Sequence, residues 1–397
     1  MAQVSDRLQR LSESATLAMA RKTRELKAEG KSIIGLSLGE PDFHTPDFIK
    51  DAAKEGIDQN YTTYTPVEGY ADLKEAVIKK FKRDNGLNYG MDQIVVSTGA
   101  KQSIANVMLS LVNPGDEVIV PAPYWVTYEE IVKLAEGTPV FIQTSIDNDF
   151  KITAKEFEAA ITPNTKLMIF SSPCNPTGSL YSKEELRRIA DVLVKHPEII
   201  VISDEIYEHI NFVGKHQSLA QFDDIFDQVV TVNGLSKAFA MTGWRLGYIG
   251  APAWIAKACI KMQGQVTSGT CSIAQRAAIA ALNADPSVTF EMRDAFKERR
   301  DFVLGELNKM DGVKINIPEG AFYVFPDVSA FFGKSYNDYK VNNADDLAMY
   351  LLTEAEVATV TGNAFGNEKC IRISYAASEE ELKEAMIRIA KALSQLN

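Results

Sequence analysis

Short apolar runs alternate with stretches of helical periodicity between residues 94 and 250 of this 397-residue chain. We predict strands near residues 94–97, 117–120, 139–142, 166–171, 199–203, 229–233 and 246–250, with a helix between most of them. Strands that alternate with helices pair into a mostly parallel sheet, and the helices cover both of its faces. The pattern therefore predicts an α/β fold around a mostly parallel, seven-stranded sheet.

The remaining segments predict a second, smaller domain. A chain of 397 residues exceeds the usual size of one domain. After the last predicted strand of the sheet, the pattern becomes mainly helical and then mixes strands with helices. We expect an N-terminal arm at 1–13, a large ligand-binding domain at 49–308, and a small α+β domain formed by 14–48 and 309–397. A helix that begins after Ser14, the expected N-cap, belongs to the small domain.

Composition and charge exclude several classes of partner. Hydrophobic residues make up 46% and charged residues 24% of the chain, as in ordinary globular proteins. The 53 acidic and 42 basic residues give a formal net charge of −11, which disfavours a nucleic-acid partner or a basic membrane-binding face. No apolar run approaches the ~18 residues of a membrane span, and no signal-peptide core is present. We expect a cytoplasmic protein.

Cysteines and histidines give no sign of a disulfide framework or a metal site. The four cysteines occur singly, without a CxxC pair, and the four histidines form no HExxH pair. We therefore expect no bound metal, and a reducing compartment fits best.

Ligands of open parallel sheets bind at the carboxyl ends of the strands, where four loops of this chain are predicted to lie. In the first loop the chain passes through Gly99 into a helix whose free N–H groups and dipole favour an anion. No GxxxxGK[ST] motif occurs and no GxGxxG follows a strand, which counts against a nucleotide site. Lys101 opposes the helix dipole by ~0.3–1 kcal/mol. It is either a solvated side chain or a cation directed at a bound anion.

A second loop carries Ser236, Lys237 and Arg245, directly after the strand predicted at 229–233. A lysine desolvated by burial has a lowered pKa and can form a Schiff base with an aldehyde. Ser236 and Arg245 could hold a phosphate, the arginine through paired charge-assisted hydrogen bonds. An aldehyde together with a phosphate indicates pyridoxal phosphate. For this segment alone, a surface lysine at a strand end is the simpler interpretation.

The other two loops supply an amide and a carboxylate. Pro173 and Pro176 constrain the backbone around Asn175, either to direct its amide or as part of an ordinary loop. Asp204 ends a buried strand and must be paired or hydrogen-bonded to remain ionised. A pyridinium N–H would be a suitable partner for the Asp204 carboxylate, and Tyr207 could then reach a phenolic oxygen. The alternative is that Asp204 is an ordinary helix N-cap.

The combination of motifs resembles the class I pyridoxal-phosphate aminotransferases of fold type I, over essentially the full chain. The matching motifs are Gly39-Glu40-Pro41-Asp42-Phe43, Pro173-x-Asn175-Pro176-Thr177-Gly178, Ser203-Asp204-Glu205-Ile206-Tyr207, Ser236-Lys237-x5-Gly243-x-Arg245-x-Gly247 and Cys370-Ile371-Arg372-Ile373-Ser374-Tyr375. The resemblance implies a fold type I architecture, pyridoxal phosphate as cofactor, and amino acids and 2-oxo acids as substrates.

The resemblance also implies a role for each matching residue around the cofactor. Lys237 would form the Schiff base and carry the proton, and Asp204 would bind the pyridine nitrogen. Tyr207 and Asn175 would donate to the phenolic oxygen, and Trp125 would pack over the ring. The residues implied at the phosphate are Gly99, Ala100, Lys101, Ser236 and Arg245.

Tyr64 is the residue from which we predict a quaternary structure. It matches the tyrosine that, in the family it resembles, reaches the phosphate bound by the neighbouring subunit. The resemblance therefore implies a homodimer with shared sites.

On the substrate side, the resemblance assigns the α-carboxylate to Arg372, helped by Asn175 and the backbone of Gly39, with Trp125 alongside. The Gly99-Ala100-Lys101-Gln102 run is similar to the bacterial aspartate aminotransferases, in which this lysine meets the distal carboxylate. The implied reaction transfers the amino group of L-aspartate to 2-oxoglutarate with ping-pong kinetics.

Alternative activities share this fold. One is transamination of aromatic or neutral amino acids or of prephenate, and another is a C–S β-lyase. Prephenate enzymes of the branch carry Lys-Pro before Ser-Ala-Thr, whereas this chain has Ser12 and Glu13 there, which counts against that substrate. A non-enzymatic regulator would need a DNA-binding domain, for which the chain has neither spare length nor a basic face.

Overall fold

A computed structural model describes residues 4–397, and residues 1–3 of the predicted arm lie outside the described residues. The α-helices are α1 (Asp6–Gln9), α2 (Ala15–Ala28), α3 (Asp47–Asp58), α4 (Ala71–Lys80), α5 (Ala100–Leu111), α6 (Thr127–Leu134), α7 (Ala154–Ala160), α8 (Lys183–Leu193), α9 (Ala253–Val266), α10 (Ser272–Asn283), α11 (Phe290–Leu307), α12 (Ala344–Glu354) and α13 (Glu379–Gln395). The strands are β1 (Ile34–Gly35), β2 (Ile94–Ser97), β3 (Glu117–Ala122), β4 (Thr138–Gln143), β5 (Thr165–Ser171), β6 (Ile200–Asp204), β7 (Val229–Gly234), β8 (Gly247–Gly250), β9 (Tyr323–Val324), β10 (Ser335–Tyr336), β11 (Tyr339–Lys340), β12 (Val357–Ala358), β13 (Val360–Thr361) and β14 (Ile371–Ser374). Within residues 4–397, every helix is too short or too polar to span a bilayer.

The central sheet has seven strands in the order β2-β8-β7-β6-β5-β3-β4. Neighbouring strands are parallel except at β8, which runs antiparallel to both β2 and β7. These are the strands predicted from the sequence, so the α/β fold with a mostly parallel sheet is confirmed. The reversal pairs Gly247 with both Ser97 and Gly234. It places the start of β8 at the edge where the parallel strands end.

Both faces of the sheet are buried against helices, as β2 illustrates. Ile94 and Val96 belong to a core completed by α3, α4, α8 and α10, whereas Val95 packs on the opposite face with α5, α6 and α9. Successive side chains of a strand alternate in direction, so a strand covered on both faces is apolar at every position. This explains why continuous apolar runs marked the strands in the sequence.

The C-terminal part packs around an apolar cluster of its own, in which α11, α12 and α13 contact the three-stranded sheet β13-β14-β9. Near the N-terminus, β1 pairs in parallel with β12, so a segment of the N-terminal part joins a sheet with a segment of the C-terminal part. The prediction of one strand near 357–361 is wrong. The structure divides this segment between two sheets, because β12 pairs with β1 whereas β13 pairs with β14.

A buried ion pair joins α4 to the segment after β6. Lys80 pairs with Glu208, and their side chains are only 2% and 3% exposed. Asn85 bridges them, because its Oδ1 accepts a hydrogen bond from Lys80 Nζ (2.8 Å) and its Nδ2 donates to Glu208 (2.8 Å). Burial alone would raise the pKa of Glu208, but Lys80 and His209 hold that pKa well below its usual range. The carboxylate therefore stays ionised inside the protein.

Replacing Lys80 with Met should lower the free energy of unfolding by about 3–5 kcal/mol, because the buried Glu208 carboxylate would lose its lysine counter-ion. Urea denaturation followed by fluorescence measures the change. The control is Lys54→Met at the exposed pair with Asp51, which should leave the transition nearly unchanged. An equally small effect for both variants would contradict a stabilising role for the buried pair.

Candidate active site

A cavity of about 360 Å³ lies at the carboxyl edge of the central sheet. Most residues predicted for the site line it, namely Gly39, Ala100, Lys101, Trp125, Asn175, Asp204, Tyr207, Ser236, Lys237, Arg245 and Arg372. Gly99 lies beside them as the N-cap of α5. Tyr64 stands apart from the cavity, with 98% of its surface exposed.

The end of β2 and the start of β8 form a corner suited to an anion. Gly99 has a φ of +87°, and a Cβ at this position would collide with the guanidinium of Arg245. A Cβ on Gly247 would likewise meet the backbone of Ala100. The two glycines therefore let Arg245 approach the N-terminus of α5, with the buried Ser236 on the same cavity wall. Free N–H groups beside a guanidinium are the donors that a phosphate requires.

Lys237 follows β7, and its Nζ donates a hydrogen bond of 2.5 Å to the carbonyl oxygen of Gly39. The rings of Tyr207 and Phe322 each lie 5.7 Å from Nζ. Burial and, after it, the Arg372 guanidinium lower the pKa of Lys237 to about 8. The neutral amine, which is the form that attacks an aldehyde, is therefore far more abundant near neutral pH than in an ordinary lysine.

Asp204 is the buried last residue of β6. Its Oδ2 accepts a hydrogen bond from the Tyr128 hydroxyl (2.7 Å), and its Oδ1 accepts one from the backbone N–H of Ile206 (3.2 Å). Burial raises the pKa of Asp204 to about 6, against the opposing effect of these hydrogen bonds. The N-cap alternative does not apply, because residues 205–218 form turns and no α-helix. A cationic N–H donor would stabilise the ionised carboxylate further.

Arg372 lies on β14 and is only 1% exposed. Its Nη1 donates to Asn175 Oδ1 (2.8 Å) and its Nη2 to the carbonyl oxygen of Ser37 (2.6 Å). The rings of Tyr323 and Phe365 lie 4.5 Å and 4.8 Å from the guanidinium carbon. Within residues 4–397 it forms no ion pair, and its Nε has no hydrogen-bond partner. Because a buried charge without a counter-ion is costly, this arrangement indicates an anionic ligand.

Lys101 places its ammonium 5.0 Å from the centre of the Trp125 ring, although the residue as a whole is exposed. Burial of the ammonium and the nearby Arg245 guanidinium lower the pKa of Lys101. Both effects disfavour the charged form, and no carboxylate of the described chain offsets them. The position favours the interpretation of Lys101 as a cation directed at an anion.

Several cavity residues were not predicted from the sequence, among them Leu17, Leu38, Glu40, Tyr128, Thr242 and Tyr323. Tyr128 lies in the first turn of α6, three residues after Trp125, so its closeness in sequence to a predicted site residue was an available signal for it. Ser14 precedes α2 as expected, but its side chain makes no capping hydrogen bond and lines the cavity instead. The arm before Ser14 is held on α6, where Ser12 N–H donates to Glu130 (2.8 Å).

Comparisons with known proteins agree along the whole chain. Residues 31–389 match the family described as "Aminotransferase class I and II". The chain is 49% identical over 395 residues to the "Aspartate/prephenate aminotransferase" of Nitrosomonas europaea, across 98% of this chain and 100% of that protein. It is 46% identical over 396 residues to the "Aspartate aminotransferase" of Pinus pinaster, across 98% and 80%. The crystal structure of the aspartate aminotransferase from Rhizobium meliloti matches with a TM-score of 0.97 and 42% identity over all of both chains.

The chain belongs to the class I and II aminotransferases. It is thus a pyridoxal-phosphate-dependent enzyme of fold type I, as the sequence motifs led us to expect. The cavity of this aminotransferase fits that cofactor. Lys237, with its lowered pKa, suits the aldehyde, and the buried Asp204 carboxylate suits the ring nitrogen. The space that Gly99 and Gly247 leave between Arg245 and the N-terminus of α5 suits the phosphate.

The lowered pKa of Lys237 predicts how the cofactor-free aminotransferase takes up pyridoxal phosphate. The neutral amine fraction rises about tenfold per pH unit below the pKa, so the rate should climb from about pH 6 and level off above about pH 8. Stopped-flow absorbance measures the rate, and Lys237→Ala should lose this phase. A rate that still climbs steeply toward pH ~10, as for an ordinary lysine, would contradict the lowered pKa.

Proposed function

We propose that this aminotransferase transfers the amino group of L-aspartate to 2-oxoglutarate. One observation carries the proposal. The cavity is lined by Lys101, Lys237, Arg245 and Arg372, and none of these four cations forms an ion pair within residues 4–397. Lys237 and Arg245 would serve the aldehyde and the phosphate, which leaves Arg372 and Lys101 for two carboxylates of one substrate. Aspartate is named for all three similar proteins, which supports the choice.

The acid–base work would fall to Lys237. When bound, the cofactor ring takes up the electrons left behind as the α-proton departs. The neutral amine of Lys237 would accept that proton and return it at the cofactor's aldehyde carbon. An ionised Asp204 would hold the proton on the ring nitrogen and thereby maintain the electron demand of the ring.

Asn175 would connect the two halves of the site. Its Oδ1 accepts a hydrogen bond from Arg372, so its amide N–H groups remain free to donate to the phenolic oxygen of the cofactor. Arg372 would bind the α-carboxylate through paired hydrogen bonds and thereby orient the bond that breaks. Tyr207 is proposed as the second donor to the phenolic oxygen, and Trp125 as the side chain over the ring.

The experiment that tests the substrate is Lys101→Ala, assayed with a panel of amino donors and 2-oxoglutarate. Loss of a charge-assisted hydrogen bond of ~1.5–3 kcal/mol should reduce kcat/KM for aspartate by about 10- to 100-fold, and for glutamate by a similar factor when oxaloacetate replaces 2-oxoglutarate as the acceptor. Alanine, which has no distal carboxylate, should be affected little. The wild-type enzyme should prefer aspartate to tyrosine, alanine and cystathionine, and should prefer 2-oxoglutarate to prephenate as the amino acceptor.

Alanine is also the internal control for the phosphate. The backbone of Lys101 belongs to the first turn of α5, so a disturbed turn would weaken cofactor binding and slow every donor alike. Equal losses for aspartate and alanine would overturn the role of Lys101 in substrate recognition. A wild-type preference for a neutral or aromatic donor would overturn the proposed function itself.

We also propose that the active species is a homodimer in which Tyr64 completes the phosphate site of the neighbouring subunit. Tyr64 is almost fully exposed and does not line the cavity of its own chain, which supports a role at the site of a neighbouring subunit. The large exposed ring would be buried by such an assembly.

Mixing Tyr64→Ala and Lys237→Ala subunits tests this sharing. In a hybrid dimer, one site would combine an intact Lys237 with an intact Tyr64, so random mixing should restore about a quarter of wild-type activity. The assay uses limiting pyridoxal phosphate, because Tyr64→Ala should weaken cofactor binding. Each variant alone is the control. If mixtures gain nothing over the two parents, Tyr64 does not act across subunits.

Two further expectations from the sequence remain proposals. We propose that residues 14–48 and 309–397 form the small domain and 49–308 the large one. The parallel pairing of β1 with β12 supports the assignment of residues 14–48, and α11, at the end of the large domain, packs against the small one. We also propose a cytoplasmic location. The four unpaired cysteines support a reducing compartment.

A further inference from the structure

Tyr323, on β9, contacts three groups of the site without having been assigned a role. It is fully buried, and its hydroxyl oxygen lies 2.8 Å from that of Tyr207. Its ring lies 4.5 Å from the guanidinium carbon of Arg372. A Cβ on Gly39 would collide with its hydroxyl, so the glycine leaves room for this tyrosine. One side chain therefore joins the proposed carboxylate site to the proposed donor for the cofactor oxygen.

The protons of the two phenols can be counted. Burial raises the pKa of Tyr207 and of Tyr323, so both are neutral and each carries one proton. The hydrogen bond between them uses one proton, and within residues 4–397 neither hydroxyl has a second partner. Tyr207 can donate into the cavity only when Tyr323 is the donor between the two. A hydroxyl that accepts one hydrogen bond is also a stronger donor in the next.

We propose that Tyr323 is a positioning residue that donates its hydroxyl proton to Tyr207 and thereby directs the proton of Tyr207 to the phenolic oxygen of the cofactor. The proposal rests on the role proposed above for Tyr207. Tyr323 acts through Tyr207 and does not itself touch the cofactor oxygen. Tyr323 contributes by setting which hydroxyl donates in the bond to Tyr207 and, through it, in the bond from Tyr207 to the cofactor oxygen.

The test is a pH titration of the visible absorbance of the resting holoenzyme, which reports the protonation of the nitrogen that Lys237 contributes. A donor to the phenolic oxygen withdraws negative charge from beside this nitrogen, so it lowers the pKa of the nitrogen. Tyr323→Phe keeps the ring but removes the donor. It should decrease the proton dissociation constant by about two- to tenfold, as expected for one neutral hydrogen bond, and Tyr207→Phe should decrease it further.

Two comparisons make the result specific. If Tyr323 acts only through Tyr207, the double variant should titrate like Tyr207→Phe alone. Tyr375→Phe is the matched control, because its buried hydroxyl donates to the carbonyl oxygen of Ala321 (3.1 Å) in the same apolar cluster. Tyr375 does not line the cavity, so its variant should titrate like the wild type.

The outcomes separate this proposal from the proposed function. A shift for Tyr207→Phe with none for Tyr323→Phe overturns the role of Tyr323 alone, as do additive shifts in the double variant. An equal shift for Tyr375→Phe would assign the effect to general packing and would also overturn it. If Tyr207→Phe itself leaves the titration unchanged, the proposed role of Tyr207 fails, and that of Tyr323 falls with it.

Discussion

A buried guanidinium that has no counter-ion among residues 4–397 lies at the centre of this site, and the surrounding elements are arranged to hold it. Arg372 donates hydrogen bonds to Asn175 and to Ser37 and packs between aromatic rings, so β14, the loop after β5 and the N-terminal segment meet at one charge. The same charge helps to lower the pKa of Lys237. Recognition of an anion and the acid–base chemistry of the lysine are therefore coupled through one electrostatic field.

The parts of the fold that could be predicted from the sequence are those in which one local pattern has one cause. The strands of the central sheet other than the edge strand β4 are buried on both faces, so their apolar runs were visible without knowledge of their neighbours. Asp204 and Lys237 could be found in the same way, because Asp204 is the last residue of such a strand and Lys237 lies three residues beyond the end of another. Because parallel sheets bind ligands at their carboxyl edge, the sequence also predicted that these side chains lie together.

The remainder depends on pairing between distant segments, which a local pattern does not record. The segment near 357–361 was predicted as one strand because nothing in it shows that β12 and β13 join different sheets. Tyr323 was not predicted as a site residue, because its partner Tyr207 lies 116 positions away and no local pattern links the two. For Lys101 the local sequence left two interpretations open, and the position of its ammonium over Trp125 favours a cation directed at an anion. The role of Tyr64 remains a prediction.

The antiparallel direction of β8 has a consequence for how this enzyme could be altered. Gly234 and Gly247 pair with each other, so the loop of residues 235–246 is clamped to the sheet at both ends. An insertion or deletion there would move Lys237 relative to Arg245 and separate the aldehyde position from the phosphate position. Surface loops usually tolerate changes in length. We expect this loop to tolerate them poorly, because it carries both Lys237 and Arg245. New specificities are better sought by substitution of cavity residues outside this loop, such as Leu17, Leu38 and Lys101.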